Sequence, residues 1–262
     1  MSALKAKLAF EHDAQVARVA LAAPKANIVD RAMMADLERI FDQLEPRRDL
    51  KAIVLGAEGP NFSYGASVEE HLPDYIAGTL TQLHRLLRRL AALPAPTIAA
   101  VRGQCLGGGF ELVLTCDLIL AEETAQLGSP EIKLAVFPPA AMALLPVRIG
   151  AGPAAALVLT GTSWSGAVAA AAGLVTRTAP ASELEVVLSD WLKNDFLPRS
   201  PAALRHAAQA VRRPLQRALA EDLPELERRY LEELMAEPDA VEGIRAFLEK
   251  RPPRWGGKGE AA

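Results

Sequence analysis

Ten consecutive residues, Arg102-Gly103-Gln104-Cys105-Leu106-Gly107-Gly108-Gly109-Phe110-Glu111, decide how this chain can fold. An apolar run at Thr97–Val101, typical of a buried strand, leads into them, and a helical pattern follows over 106–115. Glycine costs roughly 1 kcal/mol relative to alanine inside a helix, so three in a row imply close approach of another backbone or of a ligand. The first amides of a helix have no acceptor within it, and the helix dipole makes that end positive. The stretch therefore predicts a helix N-terminus that can hold a ligand oxygen as it gains negative charge.

Glu111 lies three residues after Gly108 and projects from the same helix face, one turn further along. Its apolar neighbours Phe110, Leu112 and Leu114 predict a semi-buried carboxyl. Such a carboxyl usually has a functional role. A carboxyl beside an anion-holding amide is useful where it must stay partly protonated or hold a water. The plainer alternative is that the glycines serve tight packing and that Glu111 faces solvent.

Short apolar runs alternate with helical patterns over the first 150 residues. The runs at 8–11, 16–21, 52–55, 97–101 and 118–121 predict strands. Helical spacing follows Asp30, the predicted N-cap, and recurs between Ile76 and Leu90. Such alternation predicts an α/β fold with a mostly parallel sheet.

The last third of the chain is helical in pattern from Ser182 onward, with apolar residues at steps of three and four. These are Leu215, Leu219, Leu223, Leu226, Tyr230, Leu231 and Leu234. We expect Pro224 to kink or split this helix, and the apolar stripe to pack against another subunit. The predicted organisation is an α/β core over 1–195 and a helical C-terminal region over 196–262.

Composition excludes several classes of protein. The chain has 262 residues, half of them hydrophobic, and a formal net charge of −3, which argues against a dedicated nucleic-acid binder. Two cysteines form no disulfide framework, which favours a reducing, cytoplasmic location. The apolar run at 134–147 is interrupted by prolines and is too short to cross a membrane.

Neither the histidines nor the arginines define a site by their spacing. The histidines lie at scattered positions with no metal-ligand spacing, so no metal is expected: His12, His71, His84 and His206. One helical segment carries a basic group that is either a solvated face or a contact for phosphates or a neighbouring subunit: Arg205, Arg212, Arg213 and Arg217.

Several motifs in fixed order resemble the crotonase (enoyl-CoA hydratase/isomerase) superfamily over about residues 8–254. They are Pro24-Lys25-Ala26-Asn27, Asn61-Phe62-Ser63-Tyr64-Gly65-Ala66-Ser67, the glycine stretch with Glu111, Cys116-Asp117, Leu127-Gly128-Ser129-Pro130-Glu131-Ile132, Leu159-Thr160-Gly161 and Ala172-Gly173-Leu174-Val175. The resemblance implies a crotonase-like spiral of ββα units with a C-terminal helical trimerisation region. It also implies an acyl-CoA thioester substrate, no separate cofactor, and a homotrimer or dimer of trimers.

The resemblance also assigns roles to residues. The backbone amides of Ala66 and Gly108 would hold the thioester oxygen, and Glu111 and Glu131 would be the catalytic carboxyls, twenty residues apart as in the hydratases of the family. The implied substrate contacts are Lys25, Ala26, Tyr64, Ala66, Ser67, Val68, Gly107, Phe137 and Lys250. Because isomerases often keep one glutamate of this pair, the presence of both favours the addition of water.

Two segments depart from the common family pattern. Tyr64 and Ser67 replace an alanine and an acidic residue, and Val136-Phe137-Pro138-Pro139-Ala140-Ala141 replaces a glycine-rich turn. The run at 61–73 most resembles the branch that hydrates cyclohexa-1,5-diene-1-carbonyl-CoA in anaerobic aromatic degradation, which we adopt as the sharper hypothesis. The alternatives are a generic short-chain enoyl-CoA hydratase, a crotonase-fold isomerase, and, from another class, a non-catalytic acyl-CoA or RNA-binding module.

Overall fold

The computed structural model describes residues 4–23 and 25–256. The strands are β1 Ala6–Glu11, β2 Val16–Leu21, β3 Ala52–Ala57, β4 Thr97–Val101, β5 Gln104–Leu106, β6 Leu118–Glu122, β7 Gln126–Gly128, β8 Ser163–Ser165 and β9 Arg177–Ala179. The helices are α1 Arg31–Leu44, α2 Pro73–Ala92, α3 Gly107–Thr115, α4 Pro139–Ile149, α5 Ala151–Thr160, α6 Gly166–Ala171, α7 Leu184–Trp191, α8 Pro201–Val211, α9 Arg213–Arg217, α10 Leu223–Arg228 and α11 Pro238–Leu248. Pro24 and the last six residues of the predicted helical region, 257–262, lie outside the described residues.

The main sheet has six strands in the order β1-β2-β3-β4-β6-β9. β1 pairs with β2 in antiparallel fashion, and every later neighbour in the order is parallel. Helices α1 and α2 connect consecutive parallel strands, as the alternating pattern predicts. The predicted α/β class is therefore confirmed, and so is the N-cap Asp30, whose side chain accepts a hydrogen bond from the Met33 amide.

Both faces of this sheet are covered, which explains the continuous apolar runs of its central strands. Along β3, Ile53 and Leu55 join the larger core beneath α1 to α5. Ala52 and Val54 point to the opposite face, where α7 closes a second core. All five residues of β4 are buried.

A second, three-stranded sheet positions the glycine stretch. β5 pairs with β7 in parallel, with Leu106 opposite Gly128, and an isolated bridge joins Cys105 to Ser63. β5 leads directly into α3, and β7 leads through Ser129 and Pro130 into the 3₁₀ turn Glu131–Leu134. Register in this sheet therefore brings the start of α3, the loop around Ser63 and the Glu131 turn to one place. The sequence reasoning missed β5, because three residues carry too little pattern.

The C-terminal stripe packs within its own chain. Leu215, Leu219 and Leu223 belong to the main core, and Tyr230 lies in a third cluster beside Val136. The expectation that this stripe faces another subunit is wrong for these residues, because the helical segment folds back over the α/β core. Trimerisation itself stays a prediction.

Two features fit the returning segment to the core. Pro224 lies in the first turn of α10 and follows a π-helical turn, Ala218–Asp222, so the expected interruption of the helix is present. At Gly243 in α11, an added Cβ would overlap the Leu134 carbonyl, so α11 approaches the Glu131–Leu134 turn as closely as glycine permits.

Arg212 is part of the core and not of a basic face. It is 3% exposed, and its guanidinium binds Asp117 through Nε–Oδ1 at 2.6 Å and Nη2–Oδ2 at 2.5 Å. Nη2 also donates to the Ala95 carbonyl at 2.7 Å, and Asp117 accepts from the Thr97 amide at 2.7 Å. This buried pair joins the C-terminal helices to the end of α2 and the start of β4. Both hypotheses about Arg212, a solvated face and a phosphate contact, are therefore wrong.

In the part of the chain that the structure describes, no helix combines the length and apolar character needed to cross a membrane.

Replacing Arg212 with Met should reduce the free energy of unfolding by about 3–5 kcal/mol, because Asp117 would be left as an uncompensated buried charge. Urea denaturation followed by circular dichroism measures this change. Arg213→Met is the matched control: Arg213 is exposed, and we expect a change within about 0.5 kcal/mol. A loss below about 1 kcal/mol in R212M would contradict the role given to this pair.

Candidate active site

A cavity of about 750 Å³ lies where the glycine stretch, the Glu131 turn and the C-terminal segment meet. Most of its wall is apolar. The side chains and backbone that line it include Ile28, Tyr64, Gly65, Ala66, Ser67, Val68, His71, Leu80, Leu83, Gly107, Gly108, Glu111, Glu131, Val136, Phe137, Pro138, Pro139, Tyr230, Phe247, Leu248 and Arg251. A concave, largely apolar site with a few convergent polar groups is the usual form of a small-molecule site.

The amides of Ala66 and Gly108 lie close together in this cavity. A Cβ built on Gly108 would lie 3.3 Å from the Ala66 nitrogen. Gly108 is in the first turn of α3, where amides have no helical acceptor. Within the described residues, the Ala66 amide also has no hydrogen-bond acceptor. Two unpaired donors at one point can hold a single ligand oxygen, as the family resemblance implies.

The glycines permit this approach of two backbones. Gly65 and Gly107 have left-handed φ values of +103° and +51°, which only glycine adopts without strain. A Cβ on Gly65 would lie 3.1 Å from the Leu106 carbonyl oxygen, and one on Gly109 would overlap the Ser63 side chain. The sequence left open whether the glycines serve a backbone or a ligand. The glycines make room for the facing backbone segment, and this close approach brings the amides of Ala66 and Gly108 together.

Side-chain hydrogen bonds hold the loop that carries Ala66. The Ser63 hydroxyl donates to the Asn27 carbonyl at 2.7 Å and accepts from the Gly65 amide at 3.0 Å. Asn27 donates through Nδ2 to the carbonyls of Glu58 and Asn61, each at 3.0 Å. Since Ser63 and Asn27 are both fully buried, these bonds are shielded from water. The loop is thus positioned independently of any ligand.

Glu111 is 4% exposed, and its Oε1 accepts a hydrogen bond from the Ala141 amide at 2.9 Å. Ala141 lies in the first turn of α4, which begins at Pro139, so the proline-containing segment starts the helix that binds the carboxylate. Burial raises the pKa of Glu111, while His84 and the amides of Ala141 and Ala140 act in the opposite direction. The predicted burial of Glu111 is confirmed, and the alternative of a solvent-facing carboxyl is excluded.

Glu131 reaches the same cavity from the opposite segment. A Cβ on Gly107 would lie 2.8 Å from its Oε1, so the carboxyl tip rests against the start of α3. Its Oε2 is buried and has no hydrogen-bond partner among the described residues. Burial, with a further contribution from the charge of Glu111, raises the pKa of Glu131 to about 8. Burial therefore favours the neutral form of both carboxyls, and the charge of one opposes ionisation of the other, so the two titrate as a coupled pair.

The structure brings most of the expected site residues together. The cavity is lined by Tyr64, Ala66, Ser67, Val68, Gly107, Gly108, Glu111, Glu131 and Phe137. Lys25 is exposed and does not line it, nor does Ala26, whose carbonyl accepts from the Tyr64 amide at 2.9 Å. Lys250 is exposed beside Arg251, which does line the cavity. Contacts of Lys25, Ala26 and Lys250 with a substrate stay predictions.

Several lining residues were not found from the sequence. Leu80 and Leu83 of α2, and Tyr230 and Phe247 of the C-terminal segment, belong to regular apolar stripes. Such a stripe has the same spacing whether it faces a core or a cavity. Of these residues, Tyr230 could have been singled out from the sequence, because its hydroxyl is a polar group in an otherwise apolar stripe. Among residues 4–23 and 25–256, no group of three or more His, Cys, Asp or Glu side chains is placed to hold a metal ion.

Comparison with protein families gives a match over residues 11–258 to the model described as Enoyl-CoA hydratase/isomerase. Among curated proteins, the chain is 43% identical to the cyclohexa-1,5-dienecarbonyl-CoA hydratase of Thauera aromatica, over 95% of this chain and 96% of that protein. It is 35% identical to a probable enoyl-CoA hydratase of Mycobacterium bovis, over 94% of this chain and 96% of that protein.

Solved structures share the fold over nearly the whole chain. An enoyl-CoA hydratase from Mycobacterium avium subsp. paratuberculosis superposes with a TM-score of 0.85 at 26% identity, covering 97% of this chain and 99% of that one. An enoyl-CoA hydratase/isomerase from Xanthobacter autotrophicus superposes with a TM-score of 0.83 at 27% identity, covering 94% and 97%. The predicted crotonase-like architecture is confirmed.

Replacing Gly109 with Ala should push the Ser63 loop away from α3 and separate the amides of Ala66 and Gly108. We expect hydration of crotonyl-CoA to fall by about 10²-fold or more, the usual cost of losing one donor of such a pair. Gly78→Ala, in α2, is the matched control, because a Cβ there meets nothing within 4 Å. That substitution should stabilise the protein by up to about 1 kcal/mol and leave the rate unchanged. Full activity in G109A would contradict the packing argument.

Replacing Glu111 with Gln should lower the pKa of Glu131 below about 8, because the neighbouring negative charge is removed. Carbon-13 NMR of side-chain-labelled glutamate measures the titration without requiring turnover. The control is Glu123→Gln, an exposed position outside the cavity, which should leave that pKa near 8. An unchanged titration in E111Q would show that the two carboxyls do not share a site.

Proposed function

The chain belongs to the enoyl-CoA hydratase/isomerase family, and we propose that it hydrates a cyclic, conjugated dienoyl-CoA thioester of the cyclohexa-1,5-diene-1-carbonyl-CoA type. The coarser activity is that of a hydro-lyase, an enoyl-CoA hydratase. The observation that supports hydration is the meeting of Glu111, Glu131 and the amide pair of Ala66 and Gly108 in one cavity. The reaction would belong to the anaerobic degradation of aromatic compounds.

The arrangement performs hydration with balanced proton transfers. The Glu111 carboxylate takes a proton from water while the water oxygen bonds to the β-carbon of the conjugated thioester. The displaced electron pair moves to the thioester oxygen, where the amides of Ala66 and Gly108 stabilise the negative charge, typically by about 3 kcal/mol for each essential donor. The protonated Glu131 then gives its proton to carbon. Transfer of the proton from Glu111 to Glu131 restores the starting state.

A cyclic diene uses the same groups. When a second double bond is conjugated through the α-carbon, the charge of the enolate extends to a further ring carbon. Protonation there leaves an α,β-unsaturated hydroxy product, so one molecule of water adds and the conjugation with the thioester survives. Both modes of protonation need the same carboxylic acid and the same oxygen-binding amides.

Two observations support a ring-shaped acyl group. The relative from Thauera aromatica, 43% identical over 95% of the chain, is named as a cyclohexa-1,5-dienecarbonyl-CoA hydratase. In addition, Phe137, Pro138 and Pro139 form a rigid apolar wall, with Tyr64 at the cavity as well. Flat apolar walls suit a ring better than a flexible chain.

A straight-chain enoyl-CoA is the second candidate substrate. It is favoured by the relatives named as probable enoyl-CoA hydratases, such as the one from Mycobacterium bovis at 35% identity. The proposed mechanism applies to it without change, so the acyl pocket distinguishes the two candidates. Isomerase activity is the third candidate, and it would release no hydroxylated product.

The proposal also covers which residues contact the CoA portion of the substrate and how many copies of the chain assemble. Lys25, Ala26 and Lys250 would contact CoA, which enters as part of the substrate. Support comes from Arg251, which lines the cavity next to Lys250. The protein would act as a trimer or a dimer of trimers, and an assembly of copies would cover exposed apolar side chains such as Leu159, Val186 and Val211.

The test is a comparison of kcat/KM for cyclohexa-1,5-diene-1-carbonyl-CoA and crotonyl-CoA in oxygen-18 water. We expect the cyclic diene to be preferred by at least about tenfold, which corresponds to 1.4 kcal/mol of differential binding in the transition state. The label should appear in a ring hydroxyl. Preference for crotonyl-CoA would move the assignment to the straight-chain candidate, and label in a released carboxylate would indicate a hydrolase.

The Glu131→Gln variant serves as the control in this comparison. It keeps the shape of the side chain but has no acid proton, so turnover should fall by about 10²–10⁴-fold while CoA-ester binding persists. Undiminished hydration would refute the mechanism.

A further inference from the structure

Tyr230 comes from the C-terminal segment and reaches the same cavity as the two glutamates. It lies in the π-helical turn Arg229–Glu233 and is 1% exposed. Its ring meets the Phe137 ring edge-on, with centroids 5.3 Å apart and an interplanar angle of 73°. The ring is thus held in place by packing, and Tyr230 lines the cavity beside Glu131 and Val136.

The Tyr230 hydroxyl has no hydrogen-bond partner in the part of the chain that the structure describes. It is buried, and no hydrogen-bonding atom of the described chain reaches it. Leaving a hydroxyl buried and unpaired costs about 1–3 kcal/mol, so such a group is usually paired when the protein is at work. In an otherwise apolar part of the wall, the natural partner is a polar atom of a ligand or a water in the cavity.

The two glutamates affect the pKa of the Tyr230 hydroxyl. Burial and the nearby carboxylates of Glu131 and Glu111 raise the pKa of Tyr230 far above its ordinary value. The phenol therefore keeps its proton at every pH at which the protein works, and it is available as a hydrogen-bond donor. It is too weak an acid to replace Glu131 as the proton source.

The segment that carries Tyr230 is anchored one turn earlier. Glu227 of α10 lies 2.6 Å from Nδ1 of His84, which is fully buried in α2, and it also accepts a hydrogen bond from Thr81 at 3.3 Å. These contacts tie the C-terminal segment to α2 without using the hydroxyl of Tyr230. The hydroxyl is thus positioned in advance, as an electrostatic stabiliser needs to be.

We propose that Tyr230 is a further catalytic residue of the hydration site, whose hydroxyl donates a hydrogen bond to the oxygen of the water that is added. The inference rests on the proposed function and extends it. As Glu111 removes a proton from the water, negative charge grows on that oxygen, and the phenol stabilises it. In the reverse direction the same bond stabilises the departing hydroxide. Tyr230 undergoes no covalent change, so the proton balance among water, Glu111 and Glu131 is unaltered.

The first measurement is the Tyr230→Phe variant, which removes the hydroxyl and keeps the ring. We expect kcat for hydration to fall by about 10–100-fold with KM changed less than threefold, because the hydrogen bond strengthens in the transition state. The midpoint of thermal unfolding should stay the same or rise slightly, since the lost hydroxyl has no partner among residues 4–23 and 25–256. A residue with a merely structural role would lower the midpoint instead.

The second measurement uses binding alone. Calorimetry with 3-hydroxybutyryl-CoA and butyryl-CoA compares ligands that differ in the hydroxyl that hydration creates. The wild-type protein should bind the hydroxylated ester more tightly by about fivefold or more, and Y230F should lose that preference. This result does not depend on which enoyl-CoA is the physiological substrate, so failure of the cyclic-diene assignment and failure of the Tyr230 proposal are distinguishable.

Tyr75→Phe is the matched control. Tyr75 is 49% exposed in α2 and does not line the cavity, so kcat and the hydroxyl preference should match the wild type. Full kcat in Y230F would overturn the proposal. So would an equal preference for the hydroxylated ester in Y230F and the wild type.

Discussion

Two backbones, the loop over 61–67 and the start of α3, approach so closely that a single methyl group would force them apart. Gly107, Gly108 and Gly109 make this contact possible, and Gly65 completes it from the other side. The rest of the molecule serves to hold it. The small sheet sets the register of the three segments, and the bonds of Ser63 and Asn27 fix the loop before any ligand arrives. Packing thus places two main-chain donors at one point, which supports the proposed site for developing negative charge.

Glu111 and Glu131 carry the same kind of carboxyl but have different electrostatic surroundings. Both lie in an apolar cavity that favours their neutral forms, but Glu111 accepts a hydrogen bond from the first turn of α4, and the buried Glu131 Oε2 has no partner within the described chain. This difference supports the proposed roles, with Glu111 as the base and Glu131 as the acid. The stability lost by burying these groups is offset elsewhere, in the two hydrophobic cores on either side of the sheet.

The sequence predicts much of this arrangement because the relevant signals are local. Glycines at a strand-to-helix junction and apolar runs such as the one at 52–55 keep their meaning without knowledge of the tertiary fold. The pairing of Glu111 with Glu131 comes from the family resemblance. What it misses depends on distant partners. Arg212 has the surroundings of a surface arginine until Asp117 is placed beside it, and Tyr230 is one member of a helical stripe until the segment folds back. The three residues of β5 form a strand because β7 pairs with them. Their own β propensity is too weak to predict the strand.

The return of the C-terminal segment over the α/β core has a consequence for biosynthesis. A ribosome delivers the amide pair and both glutamates well before it delivers Tyr230 and α11, whose Gly243 rests on the Leu134 carbonyl. Until those elements emerge, the apolar cleft that contains the two glutamates is open to solvent. The C-terminal helices emerge later and cover it, so a product truncated before them would expose an apolar surface that quality-control machinery can recognise.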